Sequence, residues 1–406
     1  MYACLDIETT GLDPKNDHVI EVAIVVFDNE KIIREWSSLV KAPVGVPEFV
    51  ERLTGITTDM LKDAPILSDI ADQIREFVGD MPITGHFIFF DLNFLGEKGI
   101  RLTNTQLDTC QIAQVLMPNE ASYSLEVLSE KFGISHENAH RALQDVKANI
   151  DFFWRMGSHV AALSKEEKEA IRPLLEKSKW PWAKVVLEFA EKSDGELIKV
   201  EEVKKTTTHF EKHIELSKET LEPPFLLQEI THTAQDLVDY AVSLGEKSML
   251  VLPELHDFGD EIGVLKDPSN YLDRERFESF INKESLSTAE TMLAAKIKLW
   301  LLRTKTGEKN EIRLVKEEND LWYDICCPNN GEATSFYKEA LERISEKRVS
   351  IISHYHFLRE KSKSENDLKI PSNLVIGQLE QFVDEIEDAW HIIMSEKRFT
   401  SDIRRL

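Results

Sequence analysis

No apolar run in this chain reaches the ~18–20 residues needed to span a bilayer. Met1 leads into a strand-like segment, not into the basic and then apolar stretch of a secretory leader. Cysteine is scarce: Cys4, Cys110, Cys326 and Cys327 are too few and too unevenly spaced for a disulfide framework. Together these absences predict a soluble protein of a reducing cytoplasm, with no membrane partner. No Gly-x-x-x-x-Gly-Lys-Ser/Thr occurs, so no loop of that kind can cradle the phosphates of ATP. The nearest stretch, Leu244-Gly245-Glu246-Lys247-Ser248, lacks the glycines and puts an acid where phosphate would sit. Internal repeats and low-complexity tracts are missing too. Positive charge is in short supply: 49 Lys and Arg face 73 Asp and Glu, a net charge of −24 that argues against a broad basic platform for nucleic acid. Residues 1–158 hold 13 basic and 25 acidic residues and the remainder 36 and 48, so each part carries −12 and the acidity is not confined to a tail.

What the chain does have is length and pattern. Its 406 residues exceed one ordinary core, and its 42% hydrophobic and 30% charged content is that of a globular protein. Tyr2–Thr9, Val19–Phe27 and Ile32–Val40 read as a meander of strands, the last two separated by the polar turn Asp28-Asn29-Glu30. Helical periodicity follows at Ser68–Val78, then a short strand at Pro82–Phe87, a helix at Phe90–Lys98 closed by Gly99, and a strand end at Leu107-Asp108-Thr109. Helices at Cys110–Leu116, Leu125–Phe132 and Arg141–His159 complete the first 158 residues. Strands followed by alternating helices and short strands predict an α/β sandwich on a mixed sheet. Residues 159–224 alternate Lys and Glu densely and end at Pro223-Pro224, a helical, solvated connector. Residues 225–406 form a second α/β region, with helices at Ala234–Leu244, Ala289–Leu302 and Phe336–Ile344 and strands at Ser248–Leu252, Val349–Ser353 and Asn373–Ile376.

Asp6-Ile7-Glu8 lies on the first strand, where residues two apart leave the same face. Paired acids at an apolar sheet end repel unless cations bind there. Thr9-Thr10-Gly11-Leu12 then turns the chain away. Gly85-His86-Phe87-Ile88-Phe89-Phe90-Asp91 supplies a third carboxylate at a helix start, where a plain N-cap is the alternative account. A fourth comes from His140-Arg141-Ala142-Leu143-Gln144-Asp145. Five residues on a helix turn through roughly 140°, so His140 and Asp145 cannot both face one site from inside it. His140 therefore belongs on the preceding loop and Asp145 in an early turn; their bland roles are a surface histidine and a first-turn acid favoured by the helix dipole.

In order, spacing and flanking sequence these four segments resemble the DEDDh exonucleases, the family of the proofreading subunit of bacterial replicative polymerase. Leu53-Thr54-Gly55-Ile56-Thr57 with Ala64-Pro65, Leu107-Asp108-Thr109 and Tyr123-Ser124-Leu125 extend the likeness over residues 1–158. The resemblance implies a ribonuclease H-like fold with a mixed five-stranded sheet. It also implies 3′→5′ hydrolysis by two divalent cations, Mg²⁺ or Mn²⁺, held by Asp6, Glu8, Asp91 and Asp145. His140 would be the general base, and Thr9, Thr10, Gly11, Leu12 and His86 would contact substrate. The family has Asn after the motif histidine where this chain has Phe87, which changes how substrate is positioned there.

The second region resembles the first motor lobe of DinG-type helicases, which some bacteria carry behind this same exonuclease. The likeness rests on Val264-Leu265-Lys266-Asp267-Pro268-Ser269-Asn270-Tyr271-Leu272, on the helix Ala294–Leu302 with Thr304-Lys305-Thr306-Gly307, on Ile351-Ile352-Ser353-His354, and on Asn373–Ile376 followed by the acidic stretch Glu385–Asp388. Asp273 stands where that family has an iron–sulfur cysteine, and Gly377-Gln378-Leu379-Glu380 where it has Asp-Glu-Ala-His. With no phosphate loop as well, neither ATP-driven unwinding nor an iron–sulfur cluster is expected. The expected substrate is a 3′ end of nucleic acid, single-stranded DNA first. The alternatives are an exoribonuclease, or a module docking a replication or repair protein, or the amino-terminal part of a split protein.

Overall fold

The structure is a computed structural model that describes residues 1–135, 140–192, 234–255, 261–328, 335–362, 368, 371 and 373–376. The elements begin with β1 (Tyr2–Thr9), β2 (Val19–Phe27), β3 (Ile32–Leu39), α1 (Glu48–Thr54), α2 (Leu67–Val78), β4 (Ile83–Gly85), α3 (Ile88–Glu97), β5 (Gln106–Asp108), α4 (Thr109–Leu116), α5 (Leu125–Phe132) and α6 (Ala142–Ala161). There follow α7 (Lys165–Glu176), α8 (Trp182–Glu191), α9 (Ala234–Ser243), β6 (Ser248–Leu252), β7 (Ile262–Leu265), α10 (Arg274–Ile281) and α11 (Thr288–Leu301). The last are α12 (Lys316–Ile325), α13 (Ser335–Glu346), β8 (Val349–Ser353), α14 (His354–Ser362) and β9 (Asn373–Ile376). The chain divides into two compact units. Among the described residues the first holds those up to 192 with Lys283–Arg303 and Ile312–Leu321, and the second holds the rest.

The first unit is built on a mixed five-stranded sheet in the order β3-β2-β1-β4-β5, the ribonuclease H-like arrangement expected. β1 and β2 run antiparallel, as do β2 and β3, while β1, β4 and β5 are parallel. The two-residue period of β1 divides its side chains between two cores. Tyr2 and Cys4 join the side chains of α4, α5, α6 and α8, whereas Ala3, Leu5 and Ile7 join those of α2 and α3. Covered on both faces, β2 is buried along its whole length.

The connector and the second region differ from expectation at two places. The boundary at 158 falls inside α6, and α7 and α8 pack into the first unit. Lys and Glu cover the solvent side of α7, but Ile171, Leu174 and Leu175 form a buried stripe at helical spacing. Trp182 of α8 is fully buried, 5.4 Å from the Phe153 ring, and its indole N–H donates to the Asp108 carbonyl at 2.8 Å. Helix α11, expected in the second region, contributes Met292, Ala295 and Leu299 to the same core. Its buried Lys296 ammonium is 2.5 Å from the Glu318 carboxylate and donates to the Arg313 carbonyl at 3.1 Å. Connector residues 193–224, Gly377–Glu380 and Glu385–Asp388 lie outside the described residues.

The second unit has a parallel four-stranded sheet in the order β7-β8-β6-β9. Leu237, Val238, Leu250, Leu252, Val349, Ile351 and Val375 make its core. Asp273 is buried and caps α10, its carboxylate accepting the Glu275 and Arg276 amides at 3.0 and 3.1 Å. Cys326 and Cys327 are buried thiols. No helix among the described residues is long and apolar enough to cross a membrane.

Candidate active site

The face of β1 that begins with Tyr2 and Cys4 ends with Asp6 and Glu8. Helix α6 lies along it: the Cys4 thiol meets the Val146 carbonyl and the Asn149 amide, so Asp145, one residue earlier on α6, falls beside Asp6. Carboxylate oxygens of Asp6, Glu8 and Asp145 lie within 4.8 Å of one another. β4 is short and pairs with β1 only at Ala3 and Cys4, leaving the carboxyl-terminal half of β1 without a ladder on that side. Asp91, in the first turn of α3, fills the gap by accepting the Ile7 amide at 3.0 Å. Asp91 thus stands beside the converging trio, buried, with one oxygen already engaged. Gly85 is required at this crossing, because a Cβ would lie 2.9 Å from the Leu5 carbonyl oxygen.

Burial, then the charges of Asp91, Asp145, Glu8 and Glu21, pushes Asp6 well above the usual carboxylate range. Glu8 is pushed up to about 8 by burial first and then by Asp145 and Glu21. Asp91 is raised to about 8, again chiefly by burial, against the Ile7 amide that favours its charged form. A cluster of acids this strongly destabilised as anions, with oxygen donors only, fits a hard divalent cation.

His140 is exposed, two residues before α6, with φ +66, and its amide donates to the Asp145 carboxylate at 3.3 Å. Arg141 next to it makes a forked pair with Glu21 at 3.1 and 2.8 Å, and Glu21 also accepts the Ala142 amide at 3.0 Å. Glu21 faces Glu8 across the β1–β2 ladder and is buried. It was not among the residues expected at the site. Its signal in the sequence is an acid inside the otherwise apolar strand Val-Ile-Glu-Val-Ala-Ile-Val-Val-Phe.

The turn after β1 is organised from within. Thr9 donates to the Gly11 carbonyl at 2.6 Å, and buried Thr10 donates to Asp17 at 3.3 Å and accepts the His18 amide at 2.9 Å. Gly11 is pressed against Asp17, whose carboxylate a Cβ would meet at 2.4 Å. Leu12 projects into solvent. His86, expected to touch substrate, is turned inward instead. Its Nε2–H donates to the Tyr123 carbonyl at 2.6 Å and its Nδ1 lies 3.0 Å from the Thr109 hydroxyl. Burial pushes its pKa down to about 4, so the neutral ring ties β4 to α4 and leaves no nitrogen for a ligand.

Residues 3–153 match the family model described as Exonuclease. DNA polymerase III subunit epsilon of Aquifex aeolicus is 32% identical over 157 residues, which cover 37% of this chain and 78% of that protein. The chain belongs to the exonuclease family. The PolC-type DNA polymerase III of Caldanaerobacter subterraneus is 33% identical over 159 residues, 38% of this chain and 11% of the polymerase. The 3′-5′ exonuclease DinG of Bacillus subtilis is 22% identical over 469 aligned residues, covering 94% of this chain. The chain spans half the length of that relative. The exonuclease match embraces every acid of the site, and the likeness to DinG continues into the second unit.

Proposed function

We propose that the chain is a 3′→5′ exonuclease that removes nucleotides from the ends of single-stranded DNA, using two divalent cations, Mg²⁺ or Mn²⁺. Asp6, Glu8, Asp91 and Asp145 hold them. The observation that carries this reading is the convergence of Asp6, Glu8 and Asp145 within 4.8 Å in a setting that opposes their ionisation. When bound, the cations supply the positive charge that a −24 chain lacks, polarising the phosphodiester and lowering the cost of a developing oxyanion. His140 takes a proton from the attacking water at an imidazole nitrogen. Its place outside α6, tied through its amide to Asp145, supports that role. Glu21 and Arg141 hold the segment that delivers both residues. The Thr9–Leu12 turn borders the bound nucleotide. The second unit guides the strand or docks a replication or repair protein, and does not hydrolyse ATP.

A nuclease assay on 3′-ended single-stranded DNA, duplex DNA and RNA, in Mg²⁺, Mn²⁺ and EDTA, tests the reading. Release of nucleoside monophosphates from the 3′ end, fastest on single-stranded DNA and abolished by EDTA or Asp6→Ala, is expected. Undiminished cleavage in EDTA would end the assignment.

A further inference from the structure

Phe87 is held at φ +58, a left-handed conformation that a bulky side chain rarely adopts. Such strain persists where the surroundings over-determine it, and its occurrence beside a site points to a role there. The surroundings here are rigid. The Phe87 amide donates to Asp108 at 3.1 Å, the preceding His86 ring is fixed at both nitrogens, and α3 starts at the next residue. Core packing does not account for the residue, which is 52% exposed.

Its position follows from the sheet. Cys4 pairs with Thr84 in the parallel β1–β4 ladder, so the chain leaves β4 beside Leu5 and turns at Phe87, at the sheet end where β1 presents Asp6 and Glu8. One helical turn further on is Asp91. Among the described residues the His86 ring meets it edge-on, at 5.0 Å between centroids, and Phe89 nearby is also about half exposed. An acid-lined site on a chain of net charge −24 is poorly suited to gripping a strand by its phosphates. A neutral contact with a base avoids that repulsion, and every base has a face that an aromatic ring can cover.

We propose that Phe87 is a positioning residue whose ring stacks on a base at the strand end being cleaved. The proposal rests on the exonuclease reading above. Its test reads binding separately from cleavage. The probe is a short oligothymidylate with a methylphosphonate at its terminal linkage, ending in either deoxythymidine or an abasic tetrahydrofuran residue. Fluorescence anisotropy is measured with the full chain in Mg²⁺. Wild type should prefer the base-bearing end by about 5- to 150-fold, the range that one stacked base supplies. Phe87→Ala and Phe87→Asn should bring that ratio close to one, and Phe87→Trp should retain it. Phe87→Asn should melt no lower than wild type, because Asn tolerates the left-handed backbone. Equal affinity of wild type for both ends, or a preference that survives in Phe87→Ala, would overturn the proposal. So would equal weakening on both ends. Cleavage of an ordinary strand is followed in parallel. A chain that does not cleave yet shows the Phe87-dependent preference would sink the nuclease reading and support only the stacking of Phe87 on a terminal base; a chain that cleaves without the preference would sink only this proposal.

Discussion

Replacing Asp6 by Asn should inactivate the enzyme and make the metal-free protein more stable. Asp6, Glu8 and Asp91 are all raised, by burial first and then by neighbouring carboxylates. A group whose folded pKa stands above its unfolded value contributes stability that is present below the unfolded value and is lost as pH rises through the folded one. The metal-free chain should therefore weaken as pH climbs towards about 8 and beyond. His86 works in the opposite sense, but once pH exceeds the ordinary imidazole value of 6.5 its contribution is complete. The useful window thus opens at about pH 6.5 and closes at about pH 9. Up to the folded value of about 8, Glu8 and Asp91 each lose stability at ~1.4 kcal/mol per pH unit, or ~2 kcal/mol apiece. Neighbouring acids titrate as a group, so the total is about 2–4 kcal/mol, a fall in Tm of about 5–15 °C for a unit of roughly 200 residues. Thermal melts in EDTA across that window, for wild type and Asp6→Asn, measure it. The variant should flatten the slope and melt higher at the alkaline end, and Mg²⁺ should restore the wild-type protein there. A metal-free wild type whose Tm is flat or rising over the window would refute the reasoning, as would an Asp6→Asn protein that melts lower at its alkaline end.

Other expectations follow from single contacts. His140→Ala should lower single-turnover cleavage by ~10²–10⁴-fold, the usual share of a general base; an undiminished single-turnover rate would remove His140 from the role. Lys296→Met should cost about 3–5 kcal/mol in denaturant titration because it leaves Glu318 charged and buried, and Lys296→Met with Glu318→Leu should recover most of the loss. ATP should leave the melting temperature unchanged, since binding to the folded chain would raise it in proportion to RT ln(1 + [L]/Kd); DNA-stimulated ATPase activity would contradict the account of the second unit.

The sheet and its order of elements were legible because strands and helices of the first 158 residues carry clean periods. That Asp6 and Glu8 leave one face together was legible from their two-residue spacing on a strand, whereas the set of four acids came from the family resemblance, since Asp91 alone reads as readily as a helix cap. Glu21 was not legible, because its meaning comes from facing Glu8 across the ladder and from a partner 120 residues away. The setting of His86 was hidden for a similar reason: a motif histidine reads as a substrate contact, and only Thr109 and Tyr123 reveal that both ring nitrogens are engaged within the fold. The packing of α7 was hidden by its charged outer face, and that of α11 by a separation of more than a hundred residues from the surface it covers.

That separation sets an order of events during synthesis. At roughly 5–20 residues per second, the stretch between the end of α8 and the start of α11 occupies the ribosome for roughly 5–20 s after the nuclease sheet has emerged. Throughout that interval the surface that will receive Met292, Ala295 and Leu299 stands bare. The nascent first unit is then a partly closed body with an apolar face open to chaperones, and it matures only when a helix encoded far downstream arrives. A shortened gene ending at 224 would hold the protein in that unfinished state permanently, and one ending at the expected boundary of 158 would remove α7 and α8 as well.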